Sequence, residues 1–217
     1  FMALNKILQG IVRDFQTKYS LDGEESKVFE HLANYIIVTK FHPEAFCDAE
    51  DFKQLIVDKK GLFGIDGIAF VVNGNLVTSK KDIADYAKSK YLDVQILIMQ
   101  AKIEEKCDTG DLLKTISAAK SFLGDHSLLT EHNEQLDNAY EIYNEIFKYS
   151  KYFNKTSPQC YVNFVTTARN WDETLVSSIT STGAREILSM IPEIKQAEIR
   201  VLGSDYVIDT YSELENS

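Results

Sequence analysis

The stretch that most narrows the fold is DVQILIMQAK, residues 93–102. In its middle the apolar residues fall on both faces of an extended strand, Ile96 and Ile98 on one, Leu97 and Met99 on the other. Such a strand needs cover on both sides, so it belongs at the centre of a sheet with a layer packed on each face. Its end changes character. Gln100 and Lys102 share one face and continue the row of Ile96 and Ile98, so the apolar part stops where two polar side chains emerge together.

The flanking sequence supplies the layers. Val28, Phe29, Leu32, Ala33, Ile36 and Ile37 recur with helical spacing over residues 24–38, and Asp22 with Glu25 three positions on reads as the start of that helix. Residues 44–60 read as a further helix ending at Gly61 and Gly64. IAFVV (68–72), NGN (73–75) and LVTS (76–79) predict a hairpin around a tight turn. Residues 80–92 read as a charged helical or irregular connector, 111–123 and 133–153 as helices, 159–167 as a strand, 184–191 as a helix and 197–202 as a strand. A last helix begins near Ser204. This order predicts one α/β layered domain over residues 2–217, with a core at 22–124 and a helical and αβ extension at 125–217. Phe1, ahead of Met2, reads as a remnant of expression cloning and carries no weight.

Charge and cysteine usage exclude several functions. The formal net charge is −10, which disfavours a simple DNA-binding module because phosphates call for a basic surface. Carboxylates that capture a divalent metal remain compatible with it. Cys47, Cys107 and Cys160 are far apart and show no CxxC spacing, which argues against a disulfide framework or structural zinc and suits a reducing cytoplasm. His31, His42, His126 and His132 lack a metal-ligand spacing. No apolar run approaches the ~18–20 residues that span a bilayer, so no membrane association is expected.

The chemistry-bearing constellation begins with Asp66, set between Ile65 and Gly67 at the mouth of the predicted hairpin. If that hairpin neighbours the 93–102 strand, Asp66 reaches the Gln100/Lys102 end. A carboxylate, an amide oxygen and an ammonium then share a small space. Hard cations such as Mg²⁺ take carboxylates, carbonyl oxygens and water. Asp66 would anchor the ion, and Gln100 or the Ala101 carbonyl would add neutral oxygens. Lys102 would orient water or stabilise negative charge on a phosphate. Gly64 and Gly67 would let a phosphate approach closely.

GIDGIAFVVNGN followed by VQILIMQAK resembles the core of the PD-(D/E)XK nucleases, in particular the subgroup ending in QxK that includes the Mrr-type restriction endonucleases. It is most similar to the abortive-infection phage-resistance (AIPR) family, in its N-terminal nuclease-like domain. The GxDG segment, the NG turn, the QAK strand end and a following aspartate occur in that order. Phe29-Glu30, VNFVTT (162–167) and VLGSDYVIDTY (201–211) extend the likeness over most of the chain, with residues 64–108 its specific part. The resemblance implies a restriction-endonuclease-like mixed central sheet flanked by helices. It also implies an Mg²⁺- or Mn²⁺-dependent nuclease acting on DNA or RNA in bacterial anti-phage defence, as a possible homodimer. Asp66 would be the metal-binding aspartate, Gln100 would stand where relatives carry Asp or Glu, Lys102 would be the catalytic lysine, and Glu30 would complete the metal site. Asp108 fits the family's later aspartate only loosely, with Cys107 where an aromatic is expected. Members of that family are longer, so the resemblance implies an N-terminal part of a longer protein or a minimal relative.

Each residue also has a plainer reading. Asp66 alone suits a turn, Gln100 and Lys102 a solvated strand end, Glu30 an exposed stripe with Lys27 and Asn34, and Asp108 a helix cap. Lys59, Lys60, Lys80 and Lys81 would steer a nucleic acid or merely solubilise loops. The aromatic residues of 137–153 recur at helical spacing, as core packing requires. The competing function is a catalytically inactive nuclease-like scaffold that binds a protein partner or senses infection.

Overall fold

In the computed structural model, which describes residues 5–57, 62, 64–124 and 133–217, three helices precede the first strand. They are α1 (Lys6–Lys18), α2 (Glu25–Val38) and the short α3 (Ala49–Lys53). The hairpin β1 (Gly67–Val72) and β2 (Asn75–Val77) follows, then α4 (Lys80–Ala87) and β3 (Val94–Lys102). Helices α5 (Thr109–Leu123) and α6 (Glu134–Lys148) lead to β4 (Gln159–Thr166). The chain ends with α7 (Glu173–Met190), β5 (Gln196–Leu202) and α8 (Ser204–Glu215).

The five strands form one mixed sheet in the order β2-β1-β3-β4-β5. β1 runs antiparallel to β2 and β3, while β3, β4 and β5 are mutually parallel. The hairpin closes through Asn73 and Gly74, at φ values of 52° and 80°. Positive φ at both central residues is the turn whose twist matches paired strands, and Asn-Gly is the pair that adopts it most readily. The parallel neighbours are joined through helices, as parallel strands require.

β3 is the central strand, as its two-sided apolar sequence predicts. Ile96 and Ile98 belong to the apolar layer built with α5, α6 and α7. Leu97 and Met99 belong to the opposite layer, with α1, α2 and α8. This α/β arrangement, a mixed sheet between helical layers, agrees with a restriction-endonuclease-like core. No described helix is long and apolar enough to cross a membrane.

Several boundaries differ from the sequence expectation. Helix α1 was not anticipated; Leu8, Val12 and Phe15 form its buried stripe, and Asn5 caps it by accepting the Leu8 N–H at 2.8 Å. Residues 44–57 yield only α3, because Asp48 and Asp51 form a capping box there and the chain then bridges Ile56 to Gly67. α2 starts after Glu24 without a side-chain cap, so Asp22 does not cap it. α7 begins eleven residues before the predicted 184, at Glu173, where Asp172 accepts the Leu175 N–H at 3.1 Å. Tyr140 and Tyr143 of α6 pack on Phe122, in keeping with core packing.

Candidate active site

Strand register brings Asp66 to the QAK end. Gly67 pairs with Met99, so the residues before Gly67 run beside the last residues of β3. Asp66 is fixed there by three hydrogen bonds. Its N–H donates to the Met99 carbonyl at 2.8 Å, its carbonyl accepts from the Val57 N–H at 3.1 Å, and its Oδ2 accepts from the Ala101 N–H at 2.8 Å. The carboxylate thus caps the β3 backbone and is buried while doing so.

Gln100 lies between the two β3 residues that Asp66 grips. It is 5% exposed, and its Oε1 is buried without a hydrogen-bond partner. A buried acceptor left unsatisfied costs on the order of 1–3 kcal/mol, so this oxygen is poised for a donor or a cation. Lys102 is the first side chain of that row to reach solvent, 37% exposed, with Nζ 3.7 Å from Asp111 Oδ2 on α5. That long, half-exposed ion pair holds the ammonium only loosely.

The helix that carries Glu30, α2, packs on the other face of the sheet. Asn34, one turn further along α2, stands over the start of β1: a Cβ on Gly67 would lie 2.7 Å from its Oδ1. At the other end of the helix, Glu24, Glu25 and Ser26 border a cleft with Ile103. Glu30 lies between these two markers along the helix. However, α2 covers the Leu97/Met99 face, whereas Gln100 and Lys102 continue the Ile96/Ile98 face. Glu30 is 6% exposed, and Lys27 Nζ balances its carboxylate at 3.0 Å. The exposed stripe expected for Glu30 and Asn34 is therefore buried. Asn34, 0% exposed with neither amide atom hydrogen-bonded, is a site neighbour that periodicity alone misplaced.

Other expectations change meaning. Gly67 makes room for Asn34, and Gly64, at φ 93°, makes room for the Lys114 backbone 3.0 Å from where a Cβ would sit. Both glycines admit helices, rather than a phosphate. Asp108 accepts the Asp111 N–H at 3.1 Å and caps α5, the plainer of its two readings. Lys80 and Lys81 are exposed in the first turn of α4; Lys59, Lys60, His126 and His132 lie outside the described residues. His42 Nδ1 accepts the Leu76 N–H at 3.0 Å, a structural role.

Glu104 locks the ends of β3 and β4 together. Its Oε1 accepts from the Thr166 hydroxyl at 2.8 Å, and its backbone N–H donates to Thr167 Oγ1 at 2.8 Å. Burial pushes its carboxyl above the ordinary range. Burial also pushes the Cys107 thiol up to about 11, helped by the charges of Glu104 and Asp108. A raised thiol pKa of this kind disfavours the thiolate form that a nucleophile needs.

Among the described residues, no three His, Cys, Asp or Glu side chains gather closely enough to hold a metal ion. The strand end instead offers one carboxylate, one unpartnered amide oxygen and a backbone carbonyl. An all-oxygen set with few charges fits Mg²⁺ or Mn²⁺, which retain several waters, better than zinc. No family model, curated protein or solved structure matches the chain.

Proposed function

We propose that the chain is a divalent-metal-dependent nuclease of the PD-(D/E)XK type that hydrolyses phosphodiester bonds of DNA or RNA. The observation that carries this reading is the buried, unpartnered Gln100 Oε1 at the point where Asp66 is clamped to β3, two residues from Lys102. Asp66, Gln100 and the Ala101 carbonyl would hold Mg²⁺ or Mn²⁺, and Glu30 would have to leave Lys27 and swing across the strand end to join them. A cation there would supply Lewis acidity toward the phosphate and lower the pKa of bound water. Lys102 would stabilise negative charge growing on the phosphate oxygens and orient the attacking water. Its loose hold on Asp111 leaves it free to turn toward substrate. Because Gln100 is neutral, the site carries one negative charge fewer than a set with an acid there, which weakens its grip on the cation.

Bacterial anti-phage defence and a cytoplasmic setting follow from the resemblance to the AIPR family; three free cysteines accord with a reducing compartment. A homodimer would set two such sites against the two strands of a duplex.

The test is cleavage of end-labelled DNA and RNA with Mg²⁺ or Mn²⁺ against the same reaction in EDTA. Asp66→Asn keeps an oxygen to accept the Ala101 N–H but removes the charge, so it should fold as wild type and lose cation-dependent cleavage. Lys102→Ala should lower the rate on the order of 10²–10³-fold. Undiminished cleavage by folded Asp66→Asn defeats the proposal.

The scaffold reading has one observation in its favour: Glu30 is already neutralised by Lys27 on the opposite face from Gln100. It expects no Mn²⁺ binding and no effect of either substitution on partner recognition.

A further inference from the structure

A groove of about 830 Å³ opens at the carboxyl ends of the parallel strands β3 and β4, between the loops that leave them. That size lies in the ~300–1,000 Å³ range of small-molecule sites, and the carboxyl edge of parallel strands is where such sites form. The groove adjoins the candidate active site through the backbone. Lys102 pairs in register with Thr166, and Thr167, the next residue, lines the groove.

The wall of the groove is Trp171, the one tryptophan of the chain. Its ring is held in place: a Cβ on Gly203 would lie 2.7 Å from Cζ3 and 2.9 Å from Cη2, so the indole rests on bare backbone. The remainder of the half-buried ring lines the opening. Around it stand Lys106, Arg169 and Asn170, all exposed. Among the described residues neither cation is engaged in an ion pair. Of the acids present, Asp172 is occupied in capping α7, and Glu105 is exposed at the rim.

We infer that this groove binds one unpaired nucleotide of a nucleic-acid strand, its base stacked on Trp171 and its phosphates held by Arg169 and Lys106. Asn170 supplies amide groups for the base edge. A fixed indole with flanking cations is the arrangement by which proteins grip single strands, since every base has a face to stack. A duplex keeps those faces covered, so the groove favours a strand that is single or locally opened. The inference deepens the nuclease reading and rests on it for the strand's role as substrate; the binding itself requires neither Asp66 nor a metal.

Trp171 reports on its own site. With EDTA present, a short single-stranded oligodeoxynucleotide, or the oligoribonucleotide of the same sequence, should quench the intrinsic tryptophan fluorescence, and the duplex should not. Measured by anisotropy of a labelled strand, Trp171→Ala should weaken binding on the order of tenfold or more, with Trp171→Phe recovering part of the loss. Arg169→Ala, an exposed change that leaves the fold intact, should reduce the salt dependence by about 0.7 in log–log slope. Absence of quenching by either strand, equal quenching by duplex, or unchanged affinity in Trp171→Ala overturns the inference. Binding through Trp171 without cation-dependent cleavage sinks the nuclease reading and leaves the subsite standing. Cleavage with full strand affinity in Trp171→Ala does the reverse.

Discussion

His31 is a buried imidazole with a cost attached. It sits edge-on to Phe52, its Nδ1 has no partner, and burial, with Lys27 and Lys53 nearby, lowers its pKa to about 4. The unfolded chain takes up a proton near 6.5 and the folded one only near 4. Stability is therefore undiminished above pH 6.5 and is lost as pH falls from there toward 4, by about 3 kcal/mol from this group. Urea unfolding at pH 7 and at pH 4.5 should show that loss in wild type, and His31→Phe should remove most of it; equal acid sensitivity in both would refute the assignment. Asp66 teaches the complementary lesson. Its placement beside QAK was legible from the strand period and the Asn73-Gly74 turn, since together they fix which ends meet. Its bond to the Ala101 N–H was not, because a side chain replacing a backbone acceptor leaves no mark in apolar spacing.

Among the elements, α7 was the hardest to read. Val176, Gly183 and Ile187 are its buried residues, and its first half, ETLVSSITSTG, is rich in Ser and Thr and has little apolar rhythm. Gly183 is the reason the helix can lie on β5: a Cβ there would sit 2.7 Å from Ile199 Cδ1 and 2.9 Å from Ile116 Cγ2. Gly183→Ala should cost about 1 kcal/mol or more, because a Cβ inside 3.0 Å of two buried isoleucines forces both to shift and outweighs the gain in helix propensity. Gly183→Leu should cost on the order of 3 kcal/mol, and a leucine variant that melts like wild type would show the packing is not tight. β3 was legible because burial on both faces leaves a continuous apolar run, whereas residues 44–57 were over-read because α3 stops after five residues. The rotation of α2 was also hidden. Every residue from Val28 to Val38 is buried, so the sequence cannot tell which flank of the helix faces the sheet.

For the whole molecule, the helical layers on the two faces of the sheet form separate apolar clusters, and the proposed cation would sit where both layers end. Binding there must stabilise the fold by mass action. Mn²⁺ at about a hundred times its Kd should add ~2.7 kcal/mol. For a chain of this size that is a rise of roughly 5–10 °C in melting temperature. Asp66→Asn should show no such rise; an equal shift in that variant would mean the ion binds elsewhere on a surface of net charge −10. The groove at Trp171 was illegible in advance because it is assembled by loops, whose meeting place the apolar pattern does not encode.

The Glu104 bonds to Thr166 and Thr167 do more than tidy two strand ends. They tie the chain just past Lys102 to the last residues of β4, from which the loop to Trp171 departs. A strand seated against the indole would then lie one short loop from the lysine, so the reach of its substrate would be set by a joined pair of strand ends.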